Sequence, residues 1–81
     1  MKNEYNALTK KIKALRGIDQ ILQTWLNVVD IMTPEERSHY RLMLESAQSF
    51  MHQQNFDRVN REYRLIQEML RNIQSRREDA A

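Results

Sequence analysis

The side chains best suited to chemistry in this chain are two histidines and two adjacent glutamates. His39 and His52 stand thirteen residues apart in a chain without Cys, which is not the spacing of a metal-ligand set. Glu35 and Glu36 are carboxylates, but their place at a predicted helix start is explained by capping and the helix dipole. No Gly-rich phosphate loop and no recognisable Ser/His/Asp arrangement occurs. The sequence therefore predicts a protein that is not an enzyme and has no cofactor or metal.

Basic side chains offer another chemistry, the binding of phosphates or of acidic proteins. Residues 1–16 carry five basic and one acidic side chain, residues 17–57 carry two and six, and residues 58–77 carry six and two. In an up-down-up bundle, the first and third helices start at the same end. Nucleic-acid binding is therefore the alternative function, although no helix-turn-helix pattern and no aromatic-rich basic stretch supports it. Seven basic residues are predicted to meet at that end: Lys10, Lys11, Lys13, Arg16, Arg58, Arg61 and Arg64.

Composition limits the fold that positions these residues. The chain has 81 residues, one Gly, one Pro and no Cys, and it is rich in good helix formers. It predicts a single all-α domain with a small core of its own. No apolar run approaches the roughly 20 residues of a membrane span, and the first residues lack the apolar segment of a signal peptide. We expect no membrane partner and a cytoplasmic location.

Residues Thr33-Pro34-Glu35-Glu36 form a nearly complete helix N-terminal capping motif. Thr33 suits the N-cap, Pro34 suits the first helical position, and the Glu36 side chain can reach back to the cap. Amphipathic patterns precede and follow this motif. The sequence therefore predicts a tight corner between two helices that pack against each other.

The first predicted helix covers residues 4–32 and has a wide apolar face. Between residues 18 and 32 all the apolar positions except Ile31 lie within an arc of about 160°, which predicts contact with two neighbouring helices. Trp25 lies in this face and is expected in the core. Gly17, which follows a basic turn, leaves open a helix break there, but the stripe keeps its phase and favours one long helix. One set keeps alternating three- and four-residue spacing, interrupted by Asp19: Leu8, Ile12, Leu15, Leu22, Leu26 and Val29.

Two further helices are predicted at 34–53 and 56–77, with a turn at Gln53-Gln54-Asn55 and a frayed tail at 76–81. Residues 43–66 resemble a single tetratricopeptide-type hairpin, which implies two antiparallel helices packed around that turn. Gln54 and Val59 depart from that family's usual turn Gly and small residue. The matching positions are Ala47, Phe50, Phe56, Tyr63 and Ile66.

The predicted helix lengths are unequal, at ~43 Å for the first and ~30–33 Å for the others. In a small antiparallel bundle of three long helices, the first two turns of the first helix then extend beyond the second. Their apolar side chains need a partner protein or a second copy of the chain. The predicted partner-binding residues are Tyr5, Leu8, Ile12 and Leu15, steered by Lys10, Lys11 and Lys13, with Leu42, Leu65 and Met69 as further uncovered positions.

From these features we expect a non-catalytic protein–protein interaction module. A small regulator, an inhibitor of a larger protein and a chaperone-like subunit all fit this description. The expected partner is another protein or the chain itself, with a homodimer favoured.

Overall fold

The computed structural model describes the backbone of residues 2–80 and the side chains of residues 5–79. The described chain forms helix α1 (Lys2–Val28), a short 3-10 helix (Val29–Ile31), helix α2 (Pro34–His52) and helix α3 (Phe56–Ala80). No strand occurs in this part of the chain. The predicted all-α bundle of three helices packing against each other is confirmed.

Helix α1 is continuous through Gly17, as the unbroken phase of the apolar pattern favoured. The glycine lies against the ring of Tyr63 on α3, and a Cβ atom built on Gly17 would stand 3.0 Å from Cδ2 of that ring. Gly17 therefore allows α1 and α3 to approach closely, and it does not end the helix.

The corner between α1 and α2 forms as the sequence predicts. Thr33 accepts a hydrogen bond from the backbone N–H of Glu36 at 3.2 Å, and the Thr33 N–H donates to Oε1 of Glu36 at 2.9 Å. The guanidinium of Arg37 donates to the carbonyl of Val29 at 2.9 Å. These contacts satisfy backbone groups at the start of α2 and at the end of the preceding helix.

The second turn lies where the sequence places it, at residues 53–55. Gln54 adopts a positive φ of 58°, the left-handed conformation that glycine favours at a helix C-terminus. Asn55 caps α3 by accepting from the N–H of Arg58 at 3.4 Å. This turn makes α2 and α3 an antiparallel hairpin, as the resemblance implied, and Ala47 and Tyr63 are both buried.

Helix α3 is the element against which both other helices pack. Lys10 pairs with Asp57 near one end of the molecule and Arg77 pairs with Asp30 near the other, so α1 and α3 run parallel. Helices α1 and α2 also meet through the stacked rings of Trp25 and Tyr40, whose centroids are 5.9 Å apart. The buried core is Ala14, Ile21, Val28, Met32, Tyr40, Ala47, Val59, Tyr63, Ile66, Leu70 and Ile73.

The helix ends differ from the prediction by a few residues: α1 begins two residues before the predicted start at 4, and α2 ends one residue before the predicted end at 53. The last residues of the first predicted helix form a 3-10 turn, and α3 continues three residues past the predicted end at 77. The guanidinium of Arg76 donates to Glu36 at 2.7 Å, which gives the last turns of α3 a tertiary contact that periodicity does not reveal. Fraying of the tail concerns motion and stays a prediction.

Candidate protein-interaction surface

Helix α1 has two apolar faces that point in different directions. One face packs on α3 and includes the fully buried Ala14, Ile21 and Val28, which recur at seven-residue intervals. At 100° per residue, the second face is rotated by roughly 140° from the first, and only Ile12 at its edge also lines a groove between α1 and α3. We call this second face the outer stripe, and its large side chains are Tyr5, Leu8, Ile12, Leu15, Leu22 and Leu26.

The outer stripe is exposed along its whole length. Its six large apolar side chains keep between 43% and 72% of their surface accessible. The positions predicted to bind a partner, Tyr5 to Leu15, therefore lie uncovered at the N-terminal half of α1. Every residue from 5 to 13 is exposed, and Ala14 is the first buried residue of the described side chains. A run of exposed apolar side chains on one helix face is typical of an interaction surface.

The stripe is longer than the sequence predicted. Leu22 and Leu26 belonged to the wide face that was expected to contact two helices, and that expectation is wrong for both. Only part of that face is covered, by α3 and by the aromatic contact with α2. The strict three- and four-residue spacing was the signal that links these two leucines to Leu8 and Leu15.

The three lysines predicted to steer a partner separate in the structure. The ammonium of Lys10 lies 2.9 Å from a carboxylate oxygen of Asp57, and its backbone carbonyl accepts from the amide of Asn60 at 3.3 Å. Lys10 therefore helps to hold α1 against the start of α3. Lys11 is exposed on one side of the outer stripe, and Lys13 lies on the other side, between α1 and α3.

The three remaining predicted positions lie away from the stripe. Leu42 is 58% exposed on α2, and Leu65 is 46% exposed on α3. Met69 is partly buried and packs against the core. Leu42 and Leu65 lie on other helices than the outer stripe, and Met69 belongs to the border of the core.

The predicted cluster of seven basic residues is also divided. Arg58 lies over the ring of Phe50, 5.3 Å from its centroid, on the side of α3 that faces α2. A groove of about 850 Å³ between α1 and α3 collects four basic side chains and one acidic one. None of the four is in an ion pair within residues 5–79. We call this the basic groove, and its charged residues are Lys13, Arg16, Arg64, Arg71 and Glu68.

The shifted pKa values have structural causes. The Arg76 guanidinium bound to Glu36 lowers the pKa of that carboxyl, and the Thr33 N–H adds to this effect. Arg77 likewise lowers the pKa of Asp30, and burial raises the pKa of Tyr40 and of Tyr63. These groups serve the corner and the core, where ion pairs and burial explain them.

Metal sites and membrane-spanning segments are two further features to consider in the described residues. No group of three or more His, Asp or Glu side chains in the described part of the chain is placed to hold a metal ion. Among the described helices, none combines the length and the apolarity needed to cross a membrane. No family model, curated protein or solved structure matches the chain.

Proposed function

We propose that the protein is a non-catalytic interaction module that binds another protein through the outer stripe of α1. The observation that carries this proposal is the exposure of six large apolar side chains on one continuous helix face. Water contact of this much apolar surface is unfavourable, at roughly 25 cal/mol per Å², and a partner surface would remove it. Scattered exposed residues such as Leu42 and Leu65 need no such explanation.

A small regulator, an inhibitor and a chaperone-like subunit would all use such a face. We also propose a cytoplasmic location. Disulfides are rare in the cytoplasm, and a chain without Cys does not depend on them for its stability. Fractionation of cells that express the tagged chain tests this location.

The test replaces two stripe residues by Asp and compares the variant with a matched control. Leu8→Asp/Ile12→Asp places two carboxylates on the outer stripe, whereas Leu42→Asp/Leu65→Asp places them on exposed positions elsewhere. Affinity capture from a native lysate should lose its specific partners with the first variant and keep them with the second. Because all four positions are exposed, helix content by circular dichroism should be unchanged in both.

Equal capture by the wild-type chain and the stripe variant would reject the proposal. A loss of capture in both variants would show that added negative charge, and not the stripe, is responsible.

The basic groove supports a second candidate function, the binding of nucleic acid. Three of its four cations that lack an ion pair within residues 5–79 are Lys13, Arg16 and Arg64, which line the same groove. Cations gathered in one groove are suited to contact phosphates of a nucleic-acid backbone. Gln substitution of these three should abolish a mobility shift and flatten its salt dependence, whereas Lys11→Gln, outside the groove, should leave it. No retardation at micromolar protein and ~150 mM salt would eliminate specific binding.

A further inference from the structure

We infer that the outer stripe is the seam of an antiparallel coiled coil between two copies of this chain, centred on Gly17. This inference rests on the proposed function and names the partner of the same surface.

The spacing of the stripe is that of a coiled coil. Written as heptads, the first core position holds Tyr5, Ile12, Asp19 and Leu26, and the second holds Leu8, Leu15, Leu22 and Val29. Seven of these eight positions are apolar. Val29 lies in the 3-10 turn after α1 and is partly buried against the core, so the exposed part of the series ends at Leu26. A helix that packs on its own domain through one face needs apolar residues on that face alone. The strictly spaced apolar residues of the outer stripe are therefore not required by the core of this chain.

The series is symmetric about Gly17. Leu8 and Leu26 lie equally far from this glycine on its two sides, as do Ile12 and Leu22. In an antiparallel pair centred on Gly17, Leu8 faces Leu26, Ile12 faces Leu22 and Leu15 faces Asp19. Tyr5 lies opposite Val29 in the 3-10 turn, and the Val29 side chain is partly buried against the core. Five of the six large stripe side chains thus have a facing residue in α1, and a shift of one copy by a heptad would move Asp19 by about 10 Å along the axis relative to the other copy.

The polar residue in the stripe also fits this arrangement. Asp19 lies two residues beyond the centre and Arg16 lies one residue before it. In the antiparallel pair, Asp19 of one copy and Arg16 of the other differ in level by only ~1.5 Å along the axis and lie on the same side of the seam. Both side chains are exposed in the single chain, and neither is in an ion pair within residues 5–79. Pairing brings together two Asp and two Arg with no net charge.

A parallel pair in the same register is disfavoured by charge. It would place Asp19 opposite Asp19 inside the seam. It would also place Lys11 on the flank of one helix beside Arg16 on the flank of the other, since residues five apart meet across a parallel seam. Both contacts join like charges, which oppose association. Charge complementarity therefore selects the antiparallel orientation.

The orientation is tested by cross-linking, because the chain has no natural Cys. We expect Leu8→Cys and Leu26→Cys, mixed in equal amounts and oxidised, to form a disulfide between the two variants. Leu8→Cys alone should form none through the pair, since its two copies would lie about 27 Å apart along the axis. Efficient cross-linking of Leu8→Cys alone would indicate a parallel pair and overturn the inference.

The ion pairs are tested by charge exchange, with the dissociation constant of the dimer measured by analytical ultracentrifugation. Asp19→Arg and Arg16→Asp should each weaken the dimer at least tenfold. The chain carrying both changes should recover most of the affinity, because the exchanged charges again face each other. Arg61→Asp, on the exposed surface of α3, is the matched control and should have little effect. No recovery in the double variant would overturn the inference.

Failure of this inference can be distinguished from failure of the proposed function. A wild-type chain that stays monomeric at ~100 μM excludes the second copy as partner. If the stripe variant still loses partners from the lysate, the stripe binds a different protein and the interaction function stands. If capture is also unchanged, both proposals fail.

Discussion

Gly17 is the residue on which the packing of α1 depends most directly. An interior glycine costs a helix about 1 kcal/mol relative to alanine. Here the missing methyl group gives room to the buried ring of Tyr63, which a Cβ atom would approach to 3.0 Å. At that separation the ring or the helix must move, and overpacking of this kind commonly costs about 1–3 kcal/mol.

We therefore expect Gly17→Ala to lower the free energy of unfolding by about 1 kcal/mol, despite its better helix propensity. Urea unfolding followed by circular dichroism measures this change. In a Tyr63→Leu background the ring is gone, and Gly17→Ala should then be stabilising. A stabilising effect of Gly17→Ala in the wild-type chain would contradict this account of the glycine.

Gln54 is a residue whose backbone does not suit its side chain. Its φ of 58° costs a non-glycine residue roughly 1–2 kcal/mol in the folded protein. Glycine would remove this strain, but it would also make the unfolded chain more flexible, which cancels part of the gain in stability. We expect Gln54→Gly to raise the free energy of unfolding by about 0.5–1 kcal/mol. The neighbour Gln53 has a φ of −79°, so Gln53→Gly should be destabilising and serves as the control. Equal effects of the two changes in thermal melts would reject the argument.

At the scale of elements, one carboxylate links the corner to the end of α3. Oε1 of Glu36 accepts from the Thr33 N–H at 2.9 Å and from the Arg76 guanidinium at 2.7 Å. Nη2 of Arg76 also donates to the carbonyl oxygen of Ile31, at a distance of 3.5 Å. The same side chain thus completes the helix cap and holds a third helix beside it.

This arrangement predicts a dependence of stability on pH. The pKa of Glu36 is lowered below its ordinary value of 4.5 in the folded protein, so its contribution is fully present above that pH and is lost as the pH falls through the lowered pKa. We expect the free energy of unfolding to decrease below about pH 4.5, and to decrease less in Glu36→Gln. Glu35→Gln, at the next position but outside these contacts, is the control. Identical pH profiles for wild type and Glu36→Gln would contradict the prediction.

Local chemistry made the corner and the second turn predictable from sequence. Thr33, Pro34 and Glu36 act on backbone groups within a few residues, so their roles follow from spacing alone. Long-range contacts were not predictable in this way. Arg58 was expected in the basic cluster at the shared end of the first and third helices, yet its guanidinium lies over the ring of Phe50. A cation can meet an aromatic ring distant in sequence only once the fold has brought them together.

The apolar pattern also did not predict which face of α1 is buried against α3. Both faces repeat at heptad spacing, so periodicity cannot say which of them meets α3. Residue size gives the answer, because Ala14 and Gly17 allow close helix contact, whereas the leucines of the outer stripe do not. Small residues on one face are thus the signal that separates the core of this helix from its candidate binding surface.

At the scale of the whole molecule, the chain is less compact than its mass allows. Its radius of gyration is 14.2 Å, against about 12 Å for a compact domain of 81 residues. Its accessible surface is 6231 Å², against about 5,200 Å² for a typical monomer of 9.8 kDa. Both differences arise because three long helices make an elongated molecule that leaves more surface exposed than a compact domain does. Both agree with a molecule that binds a partner through part of this surface.

The central place of α3 has a consequence for how the protein is made. Both other helices pack on α3, yet α3 follows them in the chain. During translation α1 and α2 therefore leave the ribosome before their main packing surface exists, joined mainly by a capped corner and one aromatic stack. Until α3 has been synthesised, the nascent chain exposes apolar side chains from both faces of α1, a state in which chaperone binding or premature association can compete with folding.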